Sequence, residues 1–255
     1  MLVFALLIIF ITLTVGLAWF LIAHDRGQKE PVGALWLAVG FGFAGAIVAA
    51  LAEVFLLNDK NLRPDVALPL VFGTALGVGV IEEVSKFLPL ALFIFKKPYF
   101  NEHTDGVVYF ALAGMGFGLP ENLLYTLEFG SQAGVGRILL TPFFHAATTA
   151  LVGYFLARRK LAHQSLIGIW PMLLAAAVLH GIYDFGLSTG SAAYGAVAVL
   201  ITFGLSAALF MLYLQATERD EDQGLSVVGV NNFCRSCGTP NPKHNLYCTQ
   251  CGKNA

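Results

Sequence analysis

Ionisable side chains lie inside several of the most apolar segments of this chain. They are Glu82, Glu83 and Lys86 in the run 67–95, Glu121 in 106–128, His145 in 137–157, and His180 with Asp184 in 165–187. A charged group at bilayer depth costs at least about 2.5 kcal/mol on insertion scales, so such residues mark functional sites by default. Because these groups are acids, bases and metal ligands on four segments, the pattern predicts one polar cavity where water meets a substrate.

Spacing within the segments predicts which groups act together. Glu82 and Lys86 are four residues apart and share a helix face, so the lysine can neutralise that carboxylate. Glu83 points about 100° away and is expected to meet a different neighbour. His180 and Asp184 are also four apart, which lets the carboxylate accept from one imidazole nitrogen and set the tautomer. A Glu–Lys pair that only fixes helix register would leave the second glutamate unexplained.

The elements that position these residues are predicted to be membrane-spanning helices. Hydrophobic residues make up 57% of the 255 residues and charged residues 12%, against about 25% charge in soluble domains. A span needs roughly 20 apolar residues, and about seven stretches qualify. They are 2–23, 32–57, 67–95, 106–128, 137–157, 165–187 and 191–215. We therefore predict an all-α fold, a polytopic transmembrane helical bundle that occupies residues 1–215.

Three features refine this bundle. Residues 2–23 have no preceding Lys or Arg and exceed the roughly 7–15 apolar residues of a secretory signal, so they are expected to be a retained first helix. Pro69 and Pro89 in the long third span predict a kink, a tilt or a helix end that protrudes into the interface. Gly114, Gly116 and Gly118 indicate close helix packing rather than a nucleotide-binding loop, because no strand precedes them.

Lys and Arg are concentrated in the loops that follow odd-numbered spans. Those loops contain Arg26, Lys29, Lys96, Lys97, Arg158, Arg159 and Lys160, whereas the loops after even-numbered spans contain Lys60, Arg63 and Arg137. The positive-inside rule then predicts an N-terminus outside and a C-terminus in the cytoplasm. His103, in the loop after the third span, is expected to be solvated. The net charge of −1 gives no reason to expect nucleic acid as a partner.

All four cysteines lie near the C-terminus in two CxxC pairs, Cys234 with Cys237 and Cys248 with Cys251. Four thiolates at this spacing predict a closed tetrahedral Zn²⁺ site, and so short a segment needs the metal to fold. Two disulfides are the alternative, but they require an oxidising compartment and the charge pattern places the segment in the cytoplasm. We predict a structural zinc ribbon at 233–255, reached by a flexible linker at 216–232, that contacts a protein partner or regulates the bundle.

Four motifs, in order, resemble those of the PrsW family of intramembrane proteases. IEEVSK matches its EExxK motif, GFGLPENLLY its GFxxxEN segment, and FFHAATTALVGY and LHGIYD its two histidine motifs. The stretch DGVVY at 105–109 also fits the lead-in to the fourth helix. The resemblance covers roughly 65–190 and extends more distantly to the CAAX prenyl endopeptidase/Abi group. It implies a protease of the bacterial plasma membrane, within the lipid bilayer, that cleaves a membrane-anchored protein such as an anti-sigma factor. The family pattern does not require the zinc ribbon.

Under this resemblance the carboxylates take the role of activating water. A desolvated carboxylate is a stronger base than a solvated one, which suits general-base catalysis. We expect the Glu82/Glu83 pair to act as this base, with Lys86 balancing their charge. Glu121 is expected to be a second carboxylate that polarises the same water.

The histidines are expected to handle the leaving group. His180, oriented by Asp184, would protonate the leaving amine or stabilise the oxyanion, and His145 would be a second electrophilic or proton-shuttling group. The alternative chemistry is a metalloprotease in which His145, His180 and a carboxylate hold a catalytic Zn²⁺. Since no HExxH is present, the sequence favours glutamate-based water activation without a catalytic cofactor. Another class is a proton-coupled transporter, because buried Glu, His and Asp also form proton relays.

Overall fold

The computed structural model describes residues 2–25, 27, 29–225, 232–233 and 240–241, with the backbone alone at 2–4, 59, 128–139, 232–233 and 240–241. Its α-helices are α1 (Leu2–Ala23), α2 (Val32–Leu56), α3 (Leu68–Pro89), α4 (His103–Leu161), α5 (Trp170–Ser188) and α6 (Ala192–Asp222). Two strands of two residues each, β1 (Asn232–Phe233) and β2 (Pro240–Asn241), pair antiparallel. The described part of the chain is therefore almost entirely helical, as the sequence predicted.

Six segments of the described chain are long and apolar enough to cross a membrane. They are Ala5–Ala23, Val32–Leu56, His103–Leu127, Leu140–Leu161, Leu166–Ser188 and Ala192–Asp222. Six of the seven predicted spans are confirmed at this level. The helix α3, which carries the densest group of charges, is not among the six, so a seventh span stays a prediction.

The helix α4 contains the predicted fourth and fifth spans, and its backbone remains helical through the polar stretch that was expected to interrupt it. It nevertheless doubles back, because Gly106 lies against the backbone of Gly153 and Gly114 lies against the carbonyl of His145. In a straight helix Gly106 and Gly153 would be about 70 Å apart. The segments 103–127 and 140–161 are therefore two antiparallel arms.

Glycines permit the close helix contacts that surround the polar residues. Gly79 on α3 lies against the carbonyl of Ala177 on α5, and Gly116 on α4 lies against the carbonyl of Val39 on α2. A Cβ at either glycine would overlap with the neighbouring backbone. Small residues at these crossings bring α3 within side-chain reach of α5, which confirms the predicted close packing.

The predicted distortion of the third span occurs at one of its two prolines. Pro69 lies in the first turn of α3, where a missing N–H is harmless. Pro89 ends the α-helix, and the chain continues as a π-helix over Leu90–Ile94. The wider turn accommodates a residue that cannot donate a helical hydrogen bond.

The end of α6 is fixed to the start of α4. The helix extends to Asp222, so residues 216–222, which were predicted to begin the flexible linker, are helical. The Asp220 carboxylate accepts from the backbone N–H of His103 at 2.7 Å and of Thr104 at 2.9 Å, and it also contacts His103 Nδ1 at 2.7 Å. His103 is 3% exposed, so the expectation of a solvated histidine is wrong. The histidine belongs to a buried helix cap.

Candidate active site

The seven ionisable residues predicted from the sequence come together in one buried cluster. Helix α3 contributes three of them, the two arms of α4 contribute Glu121 and His145, and α5 contributes His180 and Asp184. His145 and His180 are fully buried, and Asp184 is 5% exposed. The Glu121 side chain is 11% exposed, which makes it the most accessible carboxylate of the cluster. Helices from distant parts of the chain therefore form one polar pocket inside an apolar bundle.

Lys86 lies at the centre of the charges on α3. Its Nζ is 3.2 Å from Glu82 Oε2 and 3.0 Å from Glu83 Oε1. The expectation that Glu83 faces away from this lysine is wrong, because residues three apart also share a helix face. The ammonium also donates to Nδ1 of His145 at 2.9 Å and lies 4.1 Å from the centre of the Phe117 ring. Lys86 thus joins α3 to both arms of α4.

Glu83 has donors on one carboxylate oxygen from three directions. Its Oε1 accepts from Lys86, from Thr148 Oγ1 at 3.1 Å and from His180 Nδ1 at 2.8 Å. The sequence assigned the orientation of His180 to Asp184, which instead lies 3.4 Å from Nε2. Thr148 was not predicted, although its place three residues after His145 on the same face was the available signal. Glu83 is therefore the group that orients His180.

The partners of His180 assign its tautomer. In a neutral His180 whose Nδ1 donates to Glu83, the lone pair lies on Nε2. This nitrogen is buried, and it makes no hydrogen bond to any residue that the structure describes. It lies 3.3 Å from Glu82 Oε2 and 3.4 Å from Asp184 Oδ2. A lone pair next to carboxylate oxygens is unfavourable unless a proton or a metal ion lies between them.

Aromatic packing holds the two imidazoles next to each other. The ring centres of His145 and His180 are 5.3 Å apart. Phe144 meets both rings edge to face, at 5.5 and 5.0 Å, and stacks on Tyr183 at 3.9 Å. His145 Nε2 lies 2.6 Å from Oε2 of Glu121. Both histidines are therefore held in fixed orientations by apolar contacts on one side and acids on the other.

Three of these side chains have the arrangement of a metal-binding group. Glu82, His145 and His180 each offer a ligand atom, and these atoms lie within 4.8 Å of one another. Two imidazoles and one carboxylate are a donor set of catalytic zinc sites. A carboxylate behind a ligating histidine, as Glu83 stands behind His180, is the usual outer partner in such sites. The donor types and their separations therefore fit a divalent metal ion. So does Nε2 of His180, which makes no hydrogen bond to the described residues.

The cysteines predicted to bind a structural zinc lie outside the described residues. They are Cys234, Cys237, Cys248 and Cys251. Nearby, the paired strands match Asn232 with Asn241 and Phe233 with Pro240. The two strands flank the first CxxC in the sequence. The zinc ribbon itself stays a prediction.

Residues 30–219 match the family described as PrsW family intramembrane metalloprotease. The chain is 26% identical over 176 residues to Protease PrsW of Bacillus subtilis, covering 68% of this chain and 78% of the relative. It is 24% identical over 189 residues to Protease PrsW of Clostridioides difficile, covering 70% and 77% respectively. The chain is 32% identical over 111 residues to Protease PrsW of Geobacillus kaustophilus, covering 43% of this chain and 49% of the relative. That match therefore spans about half of the relative's length. No solved structure matches the chain.

Proposed function

Because the chain belongs to the PrsW family of intramembrane metalloproteases and is a peptide hydrolase, we propose that it cleaves membrane-anchored proteins at the cluster between α3, α4 and α5. The observation that carries this proposal is the convergence of Glu82, His145 and His180 inside a bundle of candidate spans. Family membership favours hydrolysis over the proton-coupled transport that buried acids and histidines also permit.

We assign a divalent metal ion such as Zn²⁺ to Glu82, His145 and His180. Bound there, the ion would supply Lewis-acid chemistry, polarising a peptide carbonyl and activating water. The sequence favoured the Glu82/Glu83 pair as a metal-free base. Glu83 is poorly suited to that task, because three donors already point at one of its oxygens. Its contacts support a role in positioning His180.

Glu121 is the best placed residue for proton transfer. It is the most exposed carboxylate of the cluster, and its Oε2 lies 2.6 Å from Nε2 of His145. In hydrolysis the water oxygen bonds to the carbonyl carbon, Glu121 accepts the proton that the water loses, and the same proton passes to the amide nitrogen as the C–N bond breaks. Asp184, whose Oδ2 lies 3.4 Å from His180 Nε2, adds negative charge beside that nitrogen.

The test is cleavage of single-span membrane substrates by the purified full chain in lipid, before and after removal of metal with a strong chelator. We expect the chelator to abolish cleavage and added Zn²⁺ to restore it. A variant with Cys234→Ser and Cys248→Ser is the control for loss of zinc from the predicted ribbon. Full activity of the metal-depleted wild type would instead support activation of water by the glutamates alone.

The proposal extends to the placement of the whole chain. We infer an integral protein of the bacterial plasma membrane, with α3 as a seventh span, an outside N-terminus and a cytoplasmic C-terminus. The excess of Lys and Arg in the odd-numbered loops supports this orientation. The substrate class is a membrane-anchored regulatory protein such as an anti-sigma factor. The ribbon at 233–255, with Zn²⁺ on its four thiolates, is proposed to bind a protein partner outside the bundle.

A further inference from the structure

The ammonium of Lys86 has the surroundings of a bound cation. Its side chain is fully buried, and Nζ contacts Glu82 Oε2 at 3.2 Å, Glu83 Oε1 at 3.0 Å and His145 Nδ1 at 2.9 Å. The face of the Phe117 ring, 4.1 Å away, lies on another side. Two of these contacts, Glu82 and His145, are with proposed metal ligands. A positive charge in this position offsets the carboxylates when no metal is bound.

The hydrogen bond from Lys86 to Nδ1 of His145 is incompatible with metal binding by His145. A neutral imidazole has one N–H and one lone pair, and an ammonium has only donors. When Lys86 donates to Nδ1, the hydrogen of His145 is on Nε2, 2.6 Å from Oε2 of Glu121, and neither nitrogen has a lone pair left for a metal. When Nε2 binds a metal instead, the hydrogen moves to Nδ1 and points at the ammonium. When Nδ1 binds the metal, the ion takes the place of the ammonium.

We propose that Lys86 is an internal cation that holds the cluster together in the metal-free protein and leaves His145 when the metal binds. The proposal rests on the metal site assigned above. It makes Lys86 a competitor of the metal for His145 and for the charge of Glu82. A lysine that only positioned the ligands would act in the opposite direction, because its loss would weaken metal binding.

The experiment measures Zn²⁺ affinity of the full chain by competition with a chromophoric chelator, for the wild type, Lys86→Met and Lys86→Gln. Methionine keeps the length of the side chain without its charge, and glutamine keeps polarity. His180→Ala measures the Zn²⁺ that is bound elsewhere in the chain. This includes Zn²⁺ on the four cysteines, which the wild type and all the variants share. Removing a unit charge this close to the ion should strengthen binding by at least about tenfold.

Thermal unfolding gives the second measurement. Without metal, Lys86→Met should unfold at a lower temperature than the wild type, because two buried carboxylates lose their cation. Saturating Zn²⁺ should raise the midpoint more in the variant than in the wild type, since tighter binding adds more stability. Lys160→Met is the matched control. Lys160 donates to the carbonyls of Phe95 and Phe100, so its loss should lower stability without changing the response to Zn²⁺.

The outcomes separate this proposal from the function on which it rests. Tighter Zn²⁺ binding by both Lys86 variants supports the competing cation. If the wild type binds Zn²⁺ through His180 and the Lys86 variants bind it equally or more weakly, Lys86 is not a competitor, although the metal site stands. If neither the wild type nor any Lys86 variant binds more Zn²⁺ than His180→Ala, the metal site and this proposal are both overturned.

Discussion

Nδ1 of His180 lies 2.8 Å from Oε1 of Glu83, a carboxylate 97 residues earlier in the chain. This buried contact links α5 to α3 near the crossing where Gly79 meets the backbone of Ala177. It also turns Nε2 of His180 toward Glu82. The two adjacent glutamates therefore have different surroundings, one beside the proposed metal position and the other behind a histidine.

Substitution should separate the two glutamates. Glu82→Gln should abolish both cleavage and the Zn²⁺ bound by the cluster, because it removes a proposed ligand. Glu83→Gln should keep the metal but lower metal affinity or activity by about 10- to 100-fold, as loss of an outer-sphere partner does. Zn²⁺ stoichiometry and kcat/KM on a single-span substrate measure the two effects. Glu218→Gln, at an exposed position on α6, is the control, and equal loss of bound Zn²⁺ in both variants would contradict the division of roles.

The histidines should behave alike, and Asp184 should matter less. In the sequence only His180 has a carboxylate one helical turn away. In the structure both imidazoles belong to the possible metal-binding group with Glu82. His145→Ala and His180→Ala should therefore each remove cleavage together with bound Zn²⁺. Asp184→Asn should cost less than Glu83→Gln, since its contact with His180 is 3.4 Å rather than 2.8 Å. Retained Zn²⁺ in His145→Ala would exclude that residue as a ligand.

Much of this site could be predicted from the sequence. Costly charges in apolar segments, and i,i+4 spacing on a single helix, identified all seven members of the cluster and the Glu82–Lys86 contact. Depth within each span was a poorer guide. Counted from the span ends at about 1.5 Å per residue, Glu82 lies roughly 10 Å deeper than His180. The two side chains nevertheless meet, because helices that start at different heights can cross.

Contacts between helices could not be predicted. Spacing along one helix favoured Asp184 as the partner of His180, whereas the helix crossing brings Glu83 closer. Thr148 and the buried pair of His103 with Asp220 were missed for the same reason. Hydrogen bonds between residues 65 to 117 positions apart depend on tertiary packing, and no local pattern encodes them.

Asp220→Asn should destabilise the bundle without removing the proposed metal-binding cluster. The Asp220 carboxylate accepts from two backbone N–H groups at the start of α4 and from the side chains of His103 and Thr104. An amide keeps only part of this set, so we expect a loss of about 1–3 kcal/mol in the free energy of unfolding. Denaturation in a lipid-like detergent measures it, with the exposed Asp222→Asn as control. Equal stability of the two variants would show that the cap contributes little.

Thiol labelling should establish the orientation of the chain. If the loops after odd-numbered spans are cytoplasmic, Cys234 and Cys251 are inside the cell and a membrane-impermeant reagent should not reach them. The same reagent should label them after permeabilisation and removal of zinc, because metal-bound thiolates react slowly. Labelling of intact cells would reverse the orientation and would remove the argument for reduced, zinc-binding cysteines.

Truncation should divide the C-terminal segment into a part that the bundle needs and a part that it does not. Ending the chain after Leu225 removes the predicted ribbon but keeps α6 complete, so cleavage of a simple single-span substrate should persist. Ending it after Thr217 also removes Asp220, which accepts from two backbone N–H groups at the start of α4, so that protein should unfold at a lower temperature. The comparison uses the thermal midpoint and the cleavage rate of both truncations beside the full chain. Complete loss of cleavage after Leu225, with an unchanged midpoint, would mean that the ribbon takes part in hydrolysis rather than in recruiting a partner.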